Sequence, residues 1–334
     1  MEEPADPYTF LEHADAGRQR QDRGLRGIQL SFLVMPTTAR RCVLGSTALA
    51  VFLAVGSGCS SDSGQVGGDS AVLEGLSALA DDSSANQVAC LDVAKARELS
   101  KGDEKRLGSV GQPGGALLGY TPGPWGEALK VTQISASVDT ESAGRWEGSF
   151  DVAAITTALK SNGYRQSGDD ETWTKSGRKG MSLRVSKQEI SYTVRGDTSM
   201  AAVNPKDGAS LADKKEYERV AECLGDVYRA DFLPLTSAKP VRLSALGQQA
   251  ATAAKNTEVL CLVAKDETTA DRAAARLRSV VADKSPTFDG TKVTVEKGDQ
   301  PVVRAVVPDT GTQRPGRLML ADMELWMAIT GSEL

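Results

Sequence analysis

Two hydrophobic periods alternate along this chain, one near two residues and one near 3.6, so the pattern predicts strands and helices in succession. Gln87 to Leu91 reads as a short strand, and the Asp92 side chain then caps a helix running to Leu99. Lys130 to Val138 alternates as a strand, with Val131, Gln133, Ser135 and Ser137 on one face and Thr132, Ile134, Ala136 and Val138 on the other. Arg145 to Phe150 is a second strand. Asp151 caps a helix with Val152, Ile155 and Leu159 on one side, and Asn162-Gly163 stops it. Strands are expected at Glu171 to Lys175 and across Ser182 to Val194, the latter turning at Lys187-Gln188.

The order then recurs. Ser210-Leu211-Ala212-Asp213 is a capping-box signal, and its helix places Tyr217, Val220, Leu224 and Val227 on one face. Val241 to Leu246 and Glu258 to Ala264 read as strands, and Thr268 with Asp271 opens another helix with Ala273, Leu277 and Val280 inward. Lys292 to Glu296 and Val302 to Val307 are strands again. Strand–strand–helix–strand–strand therefore occurs twice, an inference from order alone because the copies share almost no residues. The fold class expected is α+β, two similar lobes of antiparallel sheet with helices packed on one face. The first lobe is placed at 85–210, and a linking helix with the second lobe at 211–330. At the end, Met319, Met323 and Trp326 favour a helix and are assigned to core packing. Gly108 to Gly126 is rich in glycine and proline and is read as loop, without a phosphate-binding GxxxxGK[ST].

The beginning of the chain carries a different signal. Arg40 and Arg41 precede an apolar run from Cys42 to Val55, too short for a comfortable span of about 20 residues and right for the core of an export signal. Val55-Gly56-Ser57-Gly58-Cys59 follows, with small residues ahead of the cysteine. These residues resemble the lipobox of bacterial lipoproteins, with Gly56 standing where leucine is commoner. The resemblance implies cleavage between Gly58 and Cys59 and acylation of Cys59, as with palmitate. It implies a signal peptide at 35–58 and a lipid-attached tether at 59–84, where Ser60 to Ser70 has the Gly/Ser/Asp composition of a flexible linker. Arg40-Arg41 with the apolar residues after them also fit a loose twin-arginine signal, so either export route is open. Residues 1–34 are polar, and Met35 opens a short positive segment of the expected kind. They are either a disordered leader or an over-extended gene start. The whole plan is similar to uncharacterised lipoproteins of actinobacterial cell envelopes.

Composition narrows the chemistry. The only histidine, His13, lies ahead of the export signal, so the mature chain has no imidazole. Ser/His/Asp and Cys/His nucleophile systems and histidine-containing metal sites are excluded on that ground. The net charge of −5 is mild and no basic stripe is present, so no nucleic-acid partner is expected. Arg272, Arg276 and Arg278 read as a solvated helix face. Ser176 to Lys179 fits S-x-x-K without the accompanying motifs, and Asp169-Asp170-Glu171 lacks the spacing of a calcium loop. No catalytic residue, metal ligand or cofactor is assigned.

Three cysteines remain after the signal and the lipid site. In an exported domain Cys223 and Cys261 are the expected disulfide, because Cys223 borders the apolar stripe of its helix and Cys261 sits mid-strand where that helix can dock. Cys90 is then a small buried hydrophobe. The function expected is a non-enzymatic binding or interaction module. It is lipid-anchored on the extracytoplasmic face of the cell membrane, with a protein, lipid or cell-wall ligand. The alternatives are a histidine-independent envelope hydrolase using carboxylates and a structural envelope component.

Overall fold

The computed structural model describes residues 71–81, 87–101, 105–108, 110–113, 123–167, 171–175, 181–194, 199–235, 239–252 and 254–330. Twelve strands form one open sheet in the order β11-β12-β10-β9-β8-β1-β2-β3-β7-β6-β5-β4, with every neighbouring pair antiparallel. In the first half these are β1 (Val88–Asp92), β2 (Ile134–Thr140), β3 (Ala143–Gly148), β4 (Arg165–Ser167), β5 (Thr172–Thr174), β6 (Met181–Val185) and β7 (Glu189–Val194). The second half has β8 (Arg229–Pro234), β9 (Val241–Ala250), β10 (Asn256–Ala264), β11 (Lys292–Glu296) and β12 (Val302–Pro308). The helices are α1 (Ala71–Ser77), α2 (Val93–Leu99), α3 (Val152–Ser161), α4 (Lys215–Leu224), α5 (Glu267–Asp283), α6 (Arg317–Leu320) and α7 (Glu324–Thr330).

The chain is α+β, as its periodicity indicates. Outward from the centre, one half runs β1-β2-β3-β7-β6 and the other β8-β9-β10-β12-β11, with a helix inserted after the third strand of each. The halves are thus arranged about a local twofold between β1 and β8. They share one continuous sheet through that pair, whose register sets Val88 against Phe232 and Cys90 against Ala230.

Side-chain alternation along the strands divides the core by sheet face. On β10, Val259, Cys261 and Val263 join the cluster containing Leu76, Val220 and Leu224 of α1 and α4. The intervening Leu260, Leu262 and Ala264 pack with Ala273, Leu277 and Trp326 of α5 and α7. The second half is therefore covered by helices on both faces. In the first half, Ile155 and Leu159 of α3 pack over Trp146, Leu183 and Ile190. The other face of β3 and β7 carries Arg145, Glu147, Glu189 and Ser191.

Capping chemistry accounts for most helix starts. Asp92 accepts from Lys95 N at 2.8 Å and Asp151 from Ala154 N at 3.0 Å. The Ser210–Asp213 box is present, but it closes a short 3-10 turn, and α4 begins at Lys215. Helix α5 starts earlier than the Thr268–Asp271 spacing suggests, because Asp266 accepts from Thr269 N at 2.7 Å. Lys130 to Gln133 lies ahead of the strand, with Val131–Gln133 forming a 3-10 turn. Trp326 and Met319 contribute to the core as expected. Met323 does not: it is 41% exposed, alongside Leu320 and Met327.

Cys223 and Cys261 are bonded, with Cα atoms 6.1 Å apart, fastening α4 to β10, the middle strand of the second half. The bond closes a loop of sequence separation 38, which the loop-closure model values at about 3–4 kcal/mol. Replacing both cysteines with alanine is expected to lower unfolding stability by about that amount. Guanidinium denaturation would show it, and reduced wild-type protein would approach the variant; an unchanged midpoint would refute the assignment of stability to this bond.

Candidate functional site

Helix α1 is short, and its position depends on contacts beyond itself. Its buried residues Val72 and Leu76 enter the core shared with α4. The chain following it is pinned by bridges from Leu79 to Val203 and Ala80 to Ser210, and Asn204 N donates to Ala78 O at 2.8 Å. Gly75 faces the sheet closely, since a Cβ built there would lie 3.3 Å from Cys90 Sγ and 3.7 Å from Val138 Cβ.

Between α1 and strands β1, β2 and β3 lies a pocket of about 240 Å3. Its apolar lining includes Val72, Ala78, Cys90, Val138 and Val227. That volume is below the roughly 300–1,000 Å3 of a drug-sized site, so it suits a small ligand or one short apolar chain. Cys90 is a free cysteine in this wall, 5% exposed. Burial pushes its thiol far above the ordinary range, with the Asp231 and Asp139 carboxylates adding to the effect. It is thus a neutral packing group rather than an activated nucleophile.

Charged groups also line the pocket. Arg145 Nη2 lies 2.8 Å from Glu147 Oε1 and its Nε lies 3.1 Å from Glu189 Oε2. Arg229 borders the pocket along β8, but its side chain turns to the opposite face, with Nε 2.6 Å from Asp231 Oδ2 and Nη2 2.7 Å from Oδ1. Its Nη1 donates to the carbonyls of Val110 and Gln112. Glu74, exposed on α1, makes no ion pair among the described residues. Ser137 reaches the pocket only along β2: it is in register with Leu91 and Trp146, so its buried side chain faces the opposite core, beside the Asp139 carboxyl.

Two buried polar networks lie on the other face of the sheet. In the first, Asp139 Oδ1 accepts from Trp146 Nε1 at 2.8 Å and from the Tyr192 hydroxyl. Gly144 stands between Asp139 and Tyr192 in the register, and a Cβ there would collide with the tyrosine, so only glycine lets its hydroxyl cross β3. In the second, Glu258 accepts from Gln248 Nε2 at 2.9 Å and Arg317 N at 2.9 Å. Arg317 pairs with Asp309 and Asp322, each at 2.8 Å, and so docks α6 on the sheet. Burial pushes the Glu258 carboxyl up to about 7, with Asp309 adding to the effect. These networks have the character of internal fasteners: Asp139 and Asp231 are 2% and 1% exposed and occupied by neighbours.

Of the residues singled out from sequence, Arg40, Arg41, Gly58 and Cys59 lie outside the described residues, as do Ser176 to Lys179 and Asp169-Asp170. Cys223 and Cys261 meet, as described above. Arg272, Arg276 and Arg278 are exposed along α5, Arg278 donating to Val293 O. The pocket residues carry no motif. The one signal available is the apolar stretch Ala71 to Ala80, too short to announce a cavity beneath it.

Fold and site together define an α+β protein built on one open antiparallel sheet, with an apolar pocket beneath its first described helix. No family model matches the chain, and no curated protein matches it. A solved structure of TP0453 in its crystal form I is similar at 12% identity and a TM-score of 0.37, over 78% of this chain and 100% of that one. A likeness at that score carries no argument about fold or role. No group of three or more histidine, cysteine or acidic residues is placed to hold a metal ion among the described residues.

Burial raises the Asp139 carboxyl from 3.8 to about 6, partly offset by the hydrogen bonds from Tyr192 and Trp146. A folded-state value above the unfolded one means the folded chain holds this proton more tightly. The stability it contributes is full below about pH 4 and is lost as pH rises to about 6. Asp139→Asn keeps the acceptor oxygen and removes the titration. Its stability relative to wild type should therefore improve between pH 4 and 6.5, on the order of 1–3 kcal/mol. Parallel stability–pH curves for the two proteins would refute this.

Proposed function

We propose that this chain is a lipid-anchored binding module of the bacterial cell envelope, held at the extracytoplasmic face of the membrane through Cys59. Its ligand site is the pocket beneath α1, the observation that carries the reading. The pocket is apolar within and charged beside, the composition of a site that takes a small amphiphile rather than an ion. Its roof, α1, begins twelve residues after Cys59. At about 3.3–3.6 Å per extended residue, that segment keeps the pocket within roughly 40 Å of the anchored cysteine. A ligand drawn from the membrane or the adjoining wall is then within reach. Two or three acyl chains on Cys59, at about 0.8 kcal/mol per buried methylene, anchor firmly where one would not. No helix among the described residues is long and apolar enough to cross a membrane.

The anchor and the site are tested separately. Cells fed labelled palmitate should label the wild-type protein and not Cys59→Ala, which should also leave the membrane fraction; equal labelling of both would refute the anchor. For the site, N-phenyl-1-naphthylamine, a neutral apolar fluorophore, should brighten on the purified protein. Ala136→Leu, which adds a branched side chain to the pocket wall, should weaken that binding strongly at an unchanged fold by circular dichroism. A fluorophore that ignores the wild-type protein, or binds Ala136→Leu as well, would refute the site.

A further inference from the structure

We infer that β11 is a self-complementary edge, through which two copies of this chain join antiparallel into one continuous sheet. β11 ends the sheet on the side of the second half and pairs with β12 alone. The ladder fixes which of its backbone groups are left over. Ala264 N donates to Pro301 O, so on β12 it is Val303, Ala305 and Val307 that turn their backbone groups toward β10. Alternation points those of Val302, Arg304 and Val306 toward β11, where they meet Glu296, Thr294 and Lys292. The N–H and C=O groups of Val293 and Val295 therefore face outward. Arg278 of α5 agrees with that direction, donating to Val293 O at 3.1 Å from outside the ladder.

The side chains select the partner. Lys292, Thr294 and Glu296 are exposed on one face of β11, and Val293 and Val295 are half-buried against the α5 core on the other. Two such edges bond only where Val293 and Val295 meet residues of the same parity. Setting Val293 opposite Val295 of the second copy satisfies this and sets Lys292 opposite its Glu296, twice by symmetry, with Thr294 on the axis. A slip of two residues in either direction places Lys292 against Thr294 or Gly298 and loses both ion pairs. Lys292 has no ion pair within its own chain among the described residues, and Glu296 gives Oε1 to Arg219 and leaves Oε2 open. Charges on an edge strand block indiscriminate pairing. Here the order K-V-T-V-E reads E-V-T-V-K backwards, so the same charges that repel other strands attract this one. The exposed Arg278 contact yields to the incoming N–H, and the isologous contact consumes the β11 edge, so assembly through it stops at two copies. A five-residue strand pair is a small contact, and interfaces below roughly 1,200 Å2 are transient, so the dimer is reversible.

Sedimentation velocity of the purified chain should show a monomer–dimer equilibrium over about 1 µM to 1 mM. Lys292→Glu and Glu296→Lys should each weaken it about tenfold, since each turns two attractive cross-strand pairs into two repulsive ones. The double variant should recover the dimer, and so should an equimolar mixture of the two single variants, because both restore opposite charges across the axis. Val295→Pro removes an outward N–H while leaving the β12 ladder whole, and should abolish pairing at an unchanged circular dichroism spectrum. A wild-type chain that stays monomeric throughout would overturn the inference. So would a single charge variant that associates like wild type, a double variant that stays apart, or a folded Val295→Pro that still pairs.

Discussion

The pairing of β1 with β8 is the contact on which the rest of this molecule depends. Each strand belongs to a different half of the chain, and each half would otherwise end in an unpaired edge there. Joining them antiparallel produces the local twofold and one continuous sheet. β1 is also short, only Val88–Asp92, yet it pairs on both sides. Its alternate residues serve opposite cores: Val88 and Cys90 face α1 and α4, while Leu91 packs with Trp146 and Tyr228. Ala89 sits in register between Asp139 on β2 and Asp231 on β8, and its small side chain leaves room for the polar groups beside it.

That arrangement separates two kinds of polar chemistry by face. Behind β1, Asp139, Tyr192, Trp146, Arg229 and Asp231 are enclosed and mostly satisfied, which favours a single defined packing at the centre of a large sheet. In front, beneath α1, the lining is apolar and its charges reach solvent. The absence of histidine after His13 and the neutral state of the Cys90 thiol both bear on the same face. Its wall packs, and the buried carboxyls with raised values, Asp139 and Glu258, lie on the opposite face.

Local signals were legible in the sequence to within a few residues. The Asp92 and Asp151 caps, the Lys187-Gln188 turn and the alternation of β10 each act over a handful of positions, so their physics is complete in the local string. β8 was missed because Arg229-Ala230-Asp231 breaks an apolar strand pattern with two charges. Only their mutual pairing at 2.6 Å makes them tolerable in a buried strand. Met323 was placed in the core from helical spacing alone, and the structure turns it outward because α7 presents Leu325, Trp326 and Ile329 to α5 instead.

The sequence by itself determined the α+β class, the repeated order of elements and the absence of any histidine beyond His13. It also marked Cys223 and Cys261 as partners, since only those two combine an apolar helix border with a mid-strand position able to receive it. The tertiary structure decided the union of the two halves through β1 and β8, the faces on which α4 and α5 pack, and the pocket. The reason is one of range. A cap or a hydrophobic period is satisfied by neighbours in sequence. A strand register or a cavity is a property of surfaces brought together from distant parts of the chain, and Val88 meets Phe232 only once both halves have folded.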